Sequence, residues 1–241
     1  MFSMFFWTLL LAHIIGDFPL QTDAIYRLKL RSTVGVLPHV AICTVMNIIA
    51  LSPFLHSRYA WIAVVFLALV HIVLDRSKIV VSDKLAGDNL LHFFLDQGFH
   101  FLSIFIAALW LGKNLDARAF SSGGFQADRE LCITLSALIF AAFGGTPITY
   151  YVQKNEFKKK YPDRVPPDYP GFIKRVPGFF ERFIATLGVI WGAWWFVLIP
   201  VAFLPRILLT WRDKDREIAM KSTIYSLLIS IICGVLARLF I

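Results

Sequence analysis

Apolar runs long enough to cross the ~30 Å hydrocarbon layer of a bilayer recur near Phe2 to Leu20, Val36 to Leu55, Ala60 to Val81, Leu90 to Leu111, Leu131 to Tyr151, Phe183 to Leu204 and Ile218 to Phe240. The pattern predicts an all-α, polytopic transmembrane helix bundle of about seven helices. Gly144, Gly145 and Pro147 interrupt the fifth run, so a kink or an early stop is expected there, and six crossings plus a re-entrant segment is the alternative. The stretch 152–182 holds Pro162, Pro166, Pro167, Pro170 and Pro177 among basic and aromatic residues, and is expected to lack a long helix and to lie near the headgroups. No internal repeat or low-complexity tract divides the chain. Residues 1–241 read as a single membrane domain, with the first four helices in 1–112, and helices 5 to 7 and the basic loop 152–182 in 113–241.

The first four runs differ from the rest in carrying ionisable residues. His13 and Asp17, His71 and Asp75, and Asp96 and His100 are each spaced i,i+4, and His39 opens the remaining helix. An i,i+4 pair shares one helix face, so each helix can present its polar groups to a common interior point. Charge in hydrocarbon costs several kcal/mol or more, which makes an intramembrane Asp or His a functional residue by default. Any one pair alone reads more simply as a polar contact between helices. The convergence of four sets is what favours a site. The later helices show no comparable charge deep within them.

Composition narrows the class. Hydrophobic residues make up 58% of the 241 positions and charged residues 17%, and the mean hydropathy is +0.67, which excludes an ordinary water-soluble domain. Met1 to Ala12 has no basic flank before it and no small-residue cleavage site after it, so it reads as a retained first helix. Cys43, Cys132 and Cys233 lie far apart inside apolar runs and imply no disulfide framework. The net charge of +8 comes from Lys and Arg clustered between the apolar runs. Positive-inside bias and anionic lipid explain this clustering without nucleic acid, for which no motif is present.

If seven spans alternate, one side receives 15 of the 24 Lys and Arg, among them Arg27, Lys29, Arg31, Arg76, Lys78, Lys84 and the basic loop. The other receives 9, including Arg206, Arg212, Lys214, Arg216 and Lys221. The bias puts the N-terminus outside. All four polar sets then lie roughly 3–10 residues, or about 5–15 Å at 1.5 Å per residue, from the cytoplasmic ends.

Four imidazoles and three carboxylates are a ligand set preferred by zinc and also by iron or manganese, so the metal candidates are His13, Asp17, His39, His71, Asp75, Asp96 and His100. Seven exceed one tetrahedral site. Either some orient the others, or Asp bridges two ions. Lys78, three residues after Asp75, can balance charge, and Gln21 and Gln97 share the polar faces and can orient water or substrate. Cys43, four after His39, reads mainly as packing. His56 abuts a span end and His92 follows Asp88 and Asn89, which look like a helix N-cap, so both histidines read as interfacial.

The segments His13-Ile-Ile-Gly-Asp-Phe-Pro-Leu-Gln-Thr-Asp23, His39, His71-Ile-Val-Leu-Asp75 with Lys78, and Leu95-Asp-Gln-Gly-Phe-His100 resemble the bacterial membrane family catalogued as domain of unknown function 3307. The resemblance covers about the first 105 residues, with a weaker echo in Gly178-Phe-Phe-Glu-Arg182 and the last basic loop and helix. It implies a bacterial inner-membrane location and brings no established activity. Its polar layout is similar to that of predicted membrane-bound metal-dependent hydrolases, by analogy only. The chain departs from the family in its last helix, where Lys221 and Ser226 stand in place of an acidic residue and Gly. Glu181 and Arg182 read as an interfacial, structural pair.

The leading expectation is a divalent-metal site near the cytoplasmic leaflet, with no organic cofactor, that hydrolyses a lipid or lipid-linked ester. Asp96, Gln97 and Lys78 would be its catalytic residues. Arg27, Lys29, Arg31, Arg76 and Lys84 would flank the mouth and attract an anionic headgroup. The rivals are a proton- or ion-coupled transporter subunit and a non-catalytic membrane scaffold.

Overall fold

The computed structural model describes residues 2–32, 34–84, 89–116, 126 and 128–241, with the side chains of 82–84 left aside. The expected positions of Lys84 at the mouth, Asp88 in a cap and Arg118 on the outer side fall outside what is described. The described chain is helical and contains no strand. Among the described residues, four helical segments are long and apolar enough to cross a membrane: Leu90–Asn114, Arg129–Lys160, Ala193–Arg212 and Arg216–Phe240; Phe2–Asp17 and Val34–Ala50 are shorter apolar helices. The chain packs as two compact units, Met1–Ser136 and Ala137–Ile241.

In the first unit α1 (Phe2–Asp17), α3 (Leu37–Ala50), α4 (Arg58–Lys84) and α5 (Leu90–Asn114) form a closed ring in which α1 touches α3 and α5, and α4 touches the same two. Pro19 ends α1, because the residue before a proline is pushed out of the helical region. A short amphipathic helix, α2 (Asp23–Arg31), follows, with Thr22 capping it by accepting from the Ile25 N–H, Asp23 in its first turn and Lys29 and Arg31 in its last. Asn89 caps α5 by accepting from the His92 N–H at 3.0 Å. One end of the ring is filled by Phe5, Leu9, Leu51, Phe54 and Leu111, with Ala60, Ala63, Ala107 and Ala108 letting the backbones approach. The polar cluster fills the other end.

The second unit begins within the continuous helical stretch Arg129–Lys160. The expected kink is instead a π-helical turn, Phe140–Gly144, between α6 (Arg129–Ile139) and α7 (Gly145–Lys160), and the helix does not stop. Pro147 has no N–H to give the preceding turn, and the Ala141 and Ala142 carbonyls are taken up by the Arg182 guanidinium at 2.7 and 2.6 Å. Helix thus extends into 152–160, and it resumes in α8 (Phe172–Trp191), which carries Pro177 within its first two turns. Only 161–171 of the proline-bearing stretch is irregular.

The run 183–204, expected to be one crossing, is broken. α8 ends at Trp191, Gly192 adopts φ +69°, and a 3₁₀ turn at Ala193–Val197 leads into α9 (Leu198–Arg212). Positive φ is cheap only for glycine, and hydropathy cannot register such a break inside an apolar run. α9 returns along α8, bringing Arg206 to Glu181 at 2.9 Å, and α10 (Arg216–Phe240) packs on both. Lys160 and Tyr161 bond Asp215 at 2.8 and 2.7 Å, and Lys221 bonds Glu156 at 2.6 Å. The basic segments 154–161 and 206–221 therefore share one end of this unit, whereas an alternation of seven spans separates them.

Candidate metal centre

Each helix of the first ring contributes polar groups at the same end. His13 and Asp17 stand on the last turns of α1, His39 on the first turn of α3, His71 and Asp75 in the second half of α4, and Asp96 and His100 in the first half of α5. All seven are buried, none more than 8% exposed. Gly16 makes room between α1 and α3, since a Cβ there would lie 2.8 Å from Cys43 Sγ.

Four of the seven meet directly. His39 Nε2 lies 2.9 Å from Asp17 Oδ1 and 3.1 Å from His71 Nε2. His71 Nε2 is 3.5 Å from both Asp17 Oδ1 and Asp75 Oδ2, and His39 Nε2 is 3.7 Å from Asp75 Oδ2. Four atoms bound tetrahedrally at the 2.0–2.1 Å typical of zinc with nitrogen and oxygen ligands lie about 3.3 Å from one another. The five separations scatter about that value. Cys43 Sγ, 3.8 Å from His39 Nε2, is a neighbouring donor, and Asp17, His39, Cys43 and His71, as well as His71, Asp75 and His100, form groups compact enough to hold an ion.

The remaining candidates surround this set. His13 Nε2 is 3.9 Å from Asp17 Oδ2, and its ring stacks on that of His100 at 4.9 Å. His100 meets the His71 ring at 4.4 Å and points Nδ1 at its own helix, 2.8 Å from the Asp96 carbonyl. That contact fixes the tautomer: Nδ1 carries the proton and Nε2 is left as a lone pair. Asp96 is joined through Gln97, whose amide donates to Asp17 Oδ2 at 2.9 Å and to Asp96 Oδ2 at 3.3 Å, while Lys78 donates to the same Asp96 oxygen at 3.3 Å. His13 Nε2, His39 Nδ1, His100 Nε2, Asp75 Oδ2 and Asp96 Oδ1 are buried without a hydrogen-bond partner. Unmet buried polar atoms are costly, and of these residues Asp75 and His100 belong with His71 to one group compact enough to hold an ion.

One residue changes the expected electrostatics. Lys29, predicted at the mouth, is buried and places Nζ 2.5 Å from Asp75 Oδ1 and 3.4 Å from Gln21 Oε1. The signal for it lay in the cap at Thr22 and the polar periodicity of the next nine residues. Gln21 spends its amide on the Asp17 carbonyl and does not enter the cluster. Lys78 neutralises Asp96 rather than Asp75. His56 is exposed in the turn before α4, and His92 is half-buried at the start of α5. Arg182 corrects the expectation that the later helices carry no deep charge, because it is 2% exposed, and Glu181 pairs with Arg206 rather than with it.

Fold and geometry together define a helical protein with a buried histidine–aspartate cluster able to hold a metal ion. Residues 5–122, which contain all seven cluster residues, match the family model described as "Protein of unknown function (DUF3307)" and belong to that family. No curated protein and no solved structure matches the chain.

Proposed function

We propose that this is a bacterial inner-membrane protein whose first unit holds one divalent ion, zinc or else iron or manganese, through Asp17, His39, His71 and Asp75, and hydrolyses an anionic lipid or lipid-linked ester. Five separations among those four ligand atoms, between 2.9 and 3.7 Å, lie near the tetrahedral value and carry the reading. Charge supports a single ion. Three carboxylates and the two ammonium groups of Lys29 and Lys78 leave −1; one divalent ion brings this to +1, which an anionic substrate cancels, and a second would leave +3.

An ion held there supplies Lewis-acid polarisation of the ester and acidifies a water. Asp96, outside the tetrahedral set, keeps Oδ1 unpartnered and is the group that takes a proton. Gln97 holds Asp96 and Asp17 at a fixed separation, and Lys78 donates to the Asp96 oxygen that Gln97 also contacts.

Membrane insertion is supported by the inverted distribution of polarity. On α5, Asp96, His100 and Ser103 face inward while Leu91, Phe94, Leu95, Phe101 and Leu102 are exposed, which suits lipid and not water. With α8 and α9 as separate crossings, eight crossings alternate. Of the 24 Lys and Arg, 19 then fall on one face of the bilayer and 5 on the other, a stronger positive-inside bias than seven crossings give.

The test is metal analysis of detergent-purified protein prepared without chelators and offered each ion. About one ion per chain is expected, and almost none in His71→Ala. Folded protein that binds no ion specifically overturns the reading. It would leave a proton path as the account of the cluster, favoured by the four linked imidazole rings of His13, His100, His71 and His39.

A further inference from the structure

The second unit contains a cavity of about 250 Å³ between α7, α8 and the middle of α9. Four cations line it, Lys174, Arg175, Arg182 and Arg206, against the single carboxylate of Glu181. That carboxylate is committed to Arg206 at 2.9 Å. Arg182 is buried among neutral acceptors only, the Ala141 and Ala142 carbonyls, Thr146 Oγ1 and Ser226 Oγ. The wall therefore carries a formal excess of three positive charges, where a buried cation ordinarily has an anion beside it. Neutral hydrogen-bonding side chains, Thr149 and Gln153 among them, complete the lining. Lys174 is exposed and Arg175 half-buried, so the charge extends from the interior to the rim.

We propose that this cavity binds the phosphate group of a phosphate ester, with Lys174 and Arg175 at its entrance and Arg206 at its floor. Guanidinium groups and a mobile ammonium are the donors that match phosphate oxygens. The volume falls just below the ~300–1,000 Å³ of sites that enclose drug-sized molecules, which suits a phosphorylated headgroup rather than a nucleotide. The ester is either that of an anionic phospholipid, whose acyl chains would lie along the exposed apolar residues of α9, or that of a soluble metabolite. The site uses residues of the second unit alone and does not depend on the metal reading.

The full chain in lipid nanodiscs tests this. Native mass spectrometry should show phosphatidylglycerol retained over phosphatidylcholine by about tenfold, as one or two charge-assisted hydrogen bonds allow, with the preference lost in Lys174→Gln/Arg175→Gln. In detergent without lipid, glycerol 3-phosphate that protects the parent from thermal unfolding, and the double variant less, would identify a soluble ester; protection by the lipid alone identifies the headgroup. A further measurement needs no variant: Lys174 should be acetylated more slowly in the presence of the bound ester, with exposed Lys158 as the internal control. No preference for the anionic lipid, no glycerol 3-phosphate effect and unchanged Lys174 reactivity would together overturn the proposal. Metal content should be the same in parent and double variant, so this site and the metal centre fail or stand separately.

Discussion

The two units each bury polar groups, and they treat them in opposite ways. In the second, Arg182 points Nε, Nη1 and Nη2 at carbonyl and hydroxyl oxygens, and two of those carbonyls belong to the turns disturbed by Pro147. In the first, His39 and His71 turn nitrogen toward nitrogen at 3.1 Å, and Asp75 Oδ2 and His100 Nε2 have no hydrogen-bond partner. A guanidinium that donates from all three of its nitrogens mends a helix. Lone pairs gathered among buried imidazoles and carboxylates form instead a group able to hold a cation.

That contrast predicts a double dissociation. His39→Ala should abolish metal binding, measured as ions per chain, because one of four ligands is gone. It should lower the melting temperature little when metal is withheld. Arg182→Met should do the reverse, leaving metal content unchanged but costing at least ~2 kcal/mol in stability, since two buried carbonyls lose their donor. Metal loss in Arg182→Met with an intact fold would erase the distinction between the units.

A smaller effect is expected at Lys29. Lys29→Met leaves every ligand in place and removes only the partner that orients Asp75, so metal affinity should change by about 10–100-fold without loss of the site. Titration with a chromophoric chelator measures it, and an unchanged affinity would show that Asp75 is not a ligand. Smallest of all should be Asp215→Asn. Hydrogen bonds from Lys160 and then Tyr161 hold that exposed carboxyl below its usual range. Its slight stabilisation is complete above the unfolded value of ~3.9 and disappears as pH falls through the lower folded value. Melting curves of parent and variant should therefore converge at acid pH.

The site was more legible than the fold. The i,i+4 pairs and His39 marked the residues that cluster, because helical periodicity alone brings them to one face. Lys29 was missed for a physical reason: as a lone lysine among Arg27 and Arg31 it reads as a solvated charge, and only the docking of α2 buries it. The helix count was misjudged because 183–204 is apolar throughout, and the residue that breaks it, Gly192, acts through φ rather than hydropathy. If α8 and α9 each cross, Arg206, Arg212, Lys214, Arg216 and Lys221 share a face with the basic stretch 154–160. Single cysteines placed at Lys214 and Lys159 should accordingly be equally shielded from an impermeant reagent that labels a cysteine at Arg58 in intact cells.

Lys29 reaches Asp75 from a helix of nine residues whose outer side, including Arg27, Leu28, Leu30 and Arg31, is exposed. A helix this short does not persist in water on its own, so α2 owes its existence to its docking and Lys29 acts as its latch. Lifting α2 would at once strip a positive charge from the cluster, release Asp75 from its partner and admit water to it. The centre is thus built with a handle whose outer side is exposed.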